Sequence, residues 1–253
     1  MSDLAPRPRN ATELVDAAFQ VYRKYPTQFI VATGIVYVPW LVVRLVLGVG
    51  VRAATPSFRD LGIAAIGTMI AYVIVGGLVT RMANDVYLDR RVSVGDALRQ
   101  VAGQLGTLTV AALLRFFLLV LGLFAFIVGV FYPLARFFAL VQVIVIEGGG
   151  VGAAFSRSST LSQNIKMHIL GTLALLFIIN VAVSIGVAFL VSVLGNRVLE
   201  QVLSTVMSVL VYPLYGIGET LLYVDARIRN EGYDVELLAA TSSPGDQVLS
   251  API

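Results

Sequence analysis

An all-α bundle of six helices crossing a membrane is the fold this sequence predicts, and three observations predict it. The chain is 58% hydrophobic and only 13% charged, with a mean hydropathy of +0.87, where soluble domains carry about 25% charged residues. Apolar runs long enough for a hydrocarbon core of roughly 30 Å, which takes about 20 helical residues, recur six times. None alternates as a barrel strand does, and an open strand would leave backbone groups unsatisfied in lipid.

The spans fall near Thr27 to Val49, Leu61 to Thr80, Leu105 to Ala125, Phe131 to Ile146, His168 to Leu194, and Leu199 to Val224. The third and fourth need an argument, because Leu105 to Ile146 is almost uninterrupted. As one helix it would be about 60 Å long, twice the hydrocarbon thickness, so it must turn. Gly129 and Pro133 in "VGVFYPL" mark the turn, with Pro133 in the first turn of the returning helix.

Three amphipathic elements precede the hairpins. Asn10 and Glu13 form a capping arrangement for a helix whose apolar face carries Leu14, Val15, Ala18, Phe19 and Tyr22, which predicts a helix lying in the interface. The second begins "SVGDALRQVAGQ" at Ser93, with Val94, Ala97, Leu98 and Val101 on one side; the third runs from Gly150 to Gln163. Together with the spans they make a threefold internal repeat, with units at about 11–88, 93–147 and 150–225. "VYLDRR" and "LYVDAR" close the first and third units, aligning Tyr87 with Tyr223, Asp89 with Asp225 and Arg91 with Arg227. Residues 10–238 form the transmembrane domain, and residues 1–9 and 239–253 read as disordered ends.

Charge orients the bundle. Twelve Lys and Arg collect on one side (Arg7, Arg9, Arg23, Lys24, Arg81, Arg90, Arg91, Arg99, Arg157, Lys166, Arg227, Arg229), against Arg52, Arg59 and Arg197 on the other. Both termini are therefore expected to be cytoplasmic. A net charge of +3 without a basic run argues against nucleic-acid binding. The absence of Cys excludes disulfides, thiolate zinc sites and thiol catalysis. The polar opening "MSDLAPRPRN" predicts no removable signal peptide.

Arg115 is the most anomalous residue, lying about ten residues into the third span, where a charge costs several kcal/mol unless paired or hydrated. Glu219, in "GIGE", lies about four residues before the end of the last span. An Arg115–Glu219 pair would need the third and sixth spans to be neighbours; otherwise Glu219 snorkels to the interface and Arg115 bonds carbonyls freed near Pro133 or Pro213. Arg44 and Arg136 are placed near the outer surface, within reach of water by snorkelling. Arg90, Arg91, Arg227 and Arg229, with Asp89 and Asp225, are candidates for contacts with anionic headgroups or between repeats. His168 reads as an interfacial polar tip. "GIGE" resembles the glycine-rich aspartate motif of intramembrane aspartyl proteases, but no second membrane-buried acid accompanies it. Motifs for a nucleophile elbow, a zinc helix or a Walker loop are missing from the sequence, which predicts no cofactor.

Three segments carry a resemblance: "RPRNATELVDAAFQVYRKYP", "VIVIEGGGVGAAFSRSSTLSQ" and "LLYVDARIRNEGYDVELL". With them the chain resembles the bacterial integral membrane proteins named for the glycerophosphoryl diester phosphodiesterase membrane domain. In some relatives that region is fused to a soluble phosphodiesterase barrel, for which these 253 residues leave no room, so the resemblance implies the membrane part and no hydrolase. The expected function is that of a non-enzymatic scaffold or accessory module in the bacterial cytoplasmic membrane, with membrane lipids and partner proteins as its contacts. The alternative is a small transporter or channel with a polar path around Arg115 and Glu219.

Overall fold

The structure, a computed structural model, describes residues 7–50, 57–124 and 128–235. The expected disordered tail at 239–253 and residues 1–6 of the opening lie outside the described residues. The elements are α1 (Ala11–Lys24), α2 (Pro26–Leu47), α3 (Phe58–Tyr87), α4 (Val94–Phe124), α5 (Val128–Arg136), α6 (Leu140–Gln142) running into a π turn (Val143–Glu147), α7 (Val151–Leu161), α8 (Lys166–Leu194) and α9 (Arg197–Glu231). No strand occurs among the described residues. Six helical stretches are long and apolar enough to cross a membrane: Pro26–Leu47, Phe58–Tyr87, Val94–Phe124, Gly129–Glu147, Lys166–Phe189 and Arg197–Glu231. The chain is a multi-pass membrane protein with an all-α fold.

The surface has the character that lipid demands. On α2, Val31, Ile35, Val38, Val42 and Val46 are exposed, at spacings that put them on one face of the helix. Such a stripe would be an aggregation site in water and is at home against acyl chains. The opposite extreme is the stretch of α9 from Gly216 to Ala226, which is buried throughout. This helix packs on α1, α2, α3 and α8. A Cβ on Gly216 would sit 2.8 Å from Val79 of α3, and one on Gly218 would sit 2.8 Å from Leu176 of α8. The two glycines of "GIGE" thus allow close helix packing.

At three places where a spanning helix is interrupted, a side chain from another helix satisfies the freed backbone group. Pro213 has no N–H to give the Val209 carbonyl, and the Thr33 hydroxyl of α2 lies 2.9 Å from that oxygen. The fourth span breaks between α5 and α6, where the Ser158 hydroxyl of α7 accepts from Ala139 N–H at 3.1 Å and donates to the Arg136 carbonyl at 3.2 Å. At the π turn, Gln100 and Gln104 of α4 donate to the Val145 and Ile144 carbonyls at 2.6 and 2.9 Å. Irregular backbone at membrane depth needs such partners, since lipid offers none.

Several expectations are corrected. The second amphipathic element is not a separate interfacial helix but the start of α4, which continues to Phe124; Gly103 and Gly106 alone do not stop a helix that contains no proline. The capping box predicted at Asn10 and Glu13 is formed, and the apolar face of α1 packs against protein. Leu14, Val15, Ala17, Ala18 and Val21 are buried against α8 and α9, and Phe19 is left 41% exposed. Arg9, assigned to a disordered opening, is buried. The reversal between the third and fourth spans comes before Gly129, which already lies inside α5, so Pro133 falls in the second turn. Gly122 makes this hairpin possible: a Cβ there would lie 2.7 Å from the Gly129 carbonyl oxygen.

Candidate functional site

Two polar clusters stand out against the apolar bundle. The first closes one end of it. Asp225, on α9, has a side chain only 2% exposed. Its Oδ1 accepts the Arg9 backbone N–H at 2.7 Å. Its Oδ2 lies 2.9 Å from His168 Nε2 of α8 and accepts from Arg229 Nε at 2.7 Å. Arg229 also donates to the Arg9 carbonyl at 2.6 Å. One carboxylate therefore ties the opening segment to the start of α8 and the end of α9.

Beside it, Arg157 of α7 bridges two acids. It donates to Glu147 at 2.8 Å and to Glu231 at 2.9 Å. These carboxylates, Glu231 first, raise its pKa above the ordinary arginine value. Tyr223 donates its hydroxyl to Glu147 at 2.6 Å, and the Asn230 amide donates to the Leu161 carbonyl at 2.7 Å. Arg227 pairs with Glu231 at 3.2 Å and sits 3.7 Å from the centre of the Tyr233 ring. Each of these groups is charged or strongly polar and meets a complementary partner.

The second cluster lies at membrane depth and is open. Arg115, Tyr72 and Tyr215 line a partly open cavity of about 650 Å³ between α3, α4 and the broken fourth span, whose walls are otherwise almost wholly hydrocarbon. Glu219 is buried next to it, with Tyr215 against its carboxylate. Tyr72 and Tyr215 lie within electrostatic reach of both Arg115 and Glu219. Tyr212 packs edge-on against Tyr37 and Tyr72, with ring centres 6.0 and 5.2 Å apart, so four tyrosines converge here. Arg115 and Glu219 do not close an ion pair: Arg115 Nε and Glu219 Oε1 are each buried without a hydrogen-bond partner.

The structure thus brings Arg115 and Glu219 into one region without joining them. Glu219 does not snorkel, because α9 runs twelve residues past it to Glu231, about 18 Å of further helix. Asp225, Arg227 and Arg229 belong to the closed end. Asp89 does not behave as the counterpart of Asp225: it is exposed, has a φ of 52° beyond the end of α3, and lies 4.0 Å from Lys24. Arg90 and Arg91 are exposed. Arg136 is half-buried, and its Nε donates to Ser159 of α7 at 2.9 Å. Sequence reasoning passed over His168 as a partner of Asp225, Arg157 as a bridge, and the tyrosines. The strings "VYVP" and "VYPLY" contain Tyr37, Tyr212 and Tyr215 in plain sight.

Helical bundle, spanning length and a buried ionic knot define a multi-pass membrane protein and no narrower class. Comparison with protein-family models, with characterised proteins and with solved structures gives no match.

Proposed function

We propose that the chain is a non-enzymatic accessory or scaffold module of the bacterial cytoplasmic membrane, both termini cytoplasmic, which presents its closed end to lipid-associated or partner proteins. The observation that carries this reading is the convergence of three distant segments at that end. The opening segment meets the closing one through Arg9 and Asp225, and the middle segment meets it through Glu147, Arg157 and Glu231. These are the segments that carry the resemblance to the glycerophosphoryl diester phosphodiesterase membrane domain, which we retain as part of the proposal. A rigid polar end built from all three is what a docking platform requires. The Lys and Arg bias supports placing it on the cytoplasmic side. The repeat belongs to the same reading in its first and third units, whose short helices α1 and α7 pack at the platform.

The test is reconstitution. Purified protein in lipid should turn over no phosphodiester or lipid substrate by itself, and site-specific crosslinkers at Arg90 and Arg91 should capture the same partner in repeated preparations. Turnover without any partner would sink the proposal. A second reading, passage of a solute, draws on the cavity at Arg115, and liposome flux lost in a folded Arg115→Ala variant would favour it.

A further inference from the structure

We propose that the cavity at Arg115 binds a long-chain fatty acid taken from the bilayer, with its carboxylate at Arg115 and Tyr72 and its chain along the wall formed by Ala64, Ala111, Ala112, Leu119, Leu134 and Val141. The argument starts from the mismatch inside the cavity. Its walls are small and apolar, its volume is about 650 Å³, and pockets for one small molecule run roughly 300–1,000 Å³. That is room for a single chain and a head. At one point on this wall sits a guanidinium, a permanent cation with a planar set of donors suited to a carboxylate. Arg115 Nε has no hydrogen-bond partner. The nearest acid, Glu219, is not on the cavity wall and makes no ion pair with it.

The residues flanking the cavity decide between water and lipid as the source. Phe116 lines the cavity and is 62% exposed, and Phe117 beside it is 58% exposed, on the apolar outer face of α4. A molecule entering past these rings comes sideways from hydrocarbon. The occupant is thus an amphiphile, with an anionic head to meet Arg115 and a phenolic donor in Tyr72 to share the load, the Tyr215 hydroxyl being engaged with Glu219. A single cation with a glutamate nearby suits a monoanion better than a doubly charged phosphate, which selects a carboxylate head. The tyrosines supply donors without further charge. The inference rests on the cavity and not on the accessory reading, and binding without any flux satisfies it.

The test titrates the full-length protein in nonionic detergent with radiolabelled oleate, using oleyl alcohol and the matching lysophosphatidate as competitors. Oleate should bind at least about tenfold tighter than oleyl alcohol, the worth of one charge-assisted hydrogen bond. Arg115→Gln should remove that preference and leave oleyl alcohol binding unchanged. Ala112→Trp, which fills the chain wall without touching charge, should weaken both ligands. Equal binding of acid and alcohol by the native protein overturns the proposal, as does tighter binding of lysophosphatidate or oleate affinity unaltered in a folded Arg115→Gln. Should Arg115→Gln fail to fold, the native competition and Ala112→Trp decide alone.

Discussion

Asp225 and Glu219 lie six residues apart on one helix, both buried and both acidic, yet they have opposite surroundings. Asp225 meets a backbone N–H, an imidazole and a guanidinium within 2.9 Å. Glu219 keeps an oxygen with no partner, and the arginine nearest to it in charge keeps a nitrogen with none. A carboxylate whose donors are all in place fixes one arrangement of the chain. A carboxylate and a guanidinium that share a region and do not meet leave room for something else. The closed end is therefore architecture, and the open cluster is the place where a ligand or a proton can act.

Matched amide substitutions break or sharpen that contrast most directly. Asp225→Asn turns an acceptor of three donors into an amide with a single accepting oxygen, which leaves at least one donor without a partner and removes the charge, and removing one member of a buried ionic set costs about 3–5 kcal/mol. The expected outcome is a large fall in thermal midpoint in detergent, together with proteolytic release of the opening segment. Tyr223→Phe deletes a hydroxyl bonded to Glu147 at 2.6 Å; a hydrogen bond to a charged group is worth about 1.5–3 kcal/mol. Its melting curve should fall between those of Asp225→Asn and the native protein. Glu219→Gln should change stability by less than about 1 kcal/mol, because the amide keeps the volume and an accepting oxygen, and the carboxyl already leaves one oxygen without a partner. If Glu219→Gln were as damaging as Asp225→Asn on the same melting assay, the open cluster would be structural and the contrast would vanish.

The sequence made the spans legible because length and hydropathy are local quantities: α2 and α8 begin and end close to where the apolar runs do, while α3 runs seven residues past Thr80. Arg115 was legible for the same reason, as a charge inside such a run. The depth of Glu219 was not. Hydropathy falls at Val224, which looks like the end of a span, but α9 stays helical to Glu231 because its polar residues are met by α7, α8 and the opening segment. Apolarity ends there and protein burial does not. Ser158, Thr33 and Gln104 were likewise invisible as partners, since each satisfies a carbonyl or N–H on a helix distant in sequence. The tyrosines at 37, 72, 212 and 215 read as ordinary members of apolar runs until three helices bring them together.

The smallest expected effect tests whether the closed end begins at the first helix. Glu13 accepts the Asn10 backbone N–H at 2.8 Å and the Arg7 guanidinium at 2.8 Å, while Asn10 Oδ1 accepts the Glu13 N–H in return. The Asn10 N–H, and after it the Arg7 charge, hold the Glu13 carboxyl below the usual glutamate value. A carboxyl with a lowered folded pKa contributes its stability above the unfolded value of about 4.3 and loses it as pH falls through the lower folded value. Glu13→Gln should therefore lower the melting point slightly at neutral pH and match the native protein once the pH is acid enough to protonate Glu13. Exposure of the group keeps the effect small, and salt should weaken the Arg7 share more than the capping share. Because α1 packs on α8 and α9 while its first turn lies beside the Arg9–Asp225 bond, the Glu13 loss should be smaller in an Asp225→Asn background, where that docking is already broken. Equal losses in both backgrounds would mean that the helix cap and the ionic knot act separately, and that the closed end begins at Arg9 rather than at α1.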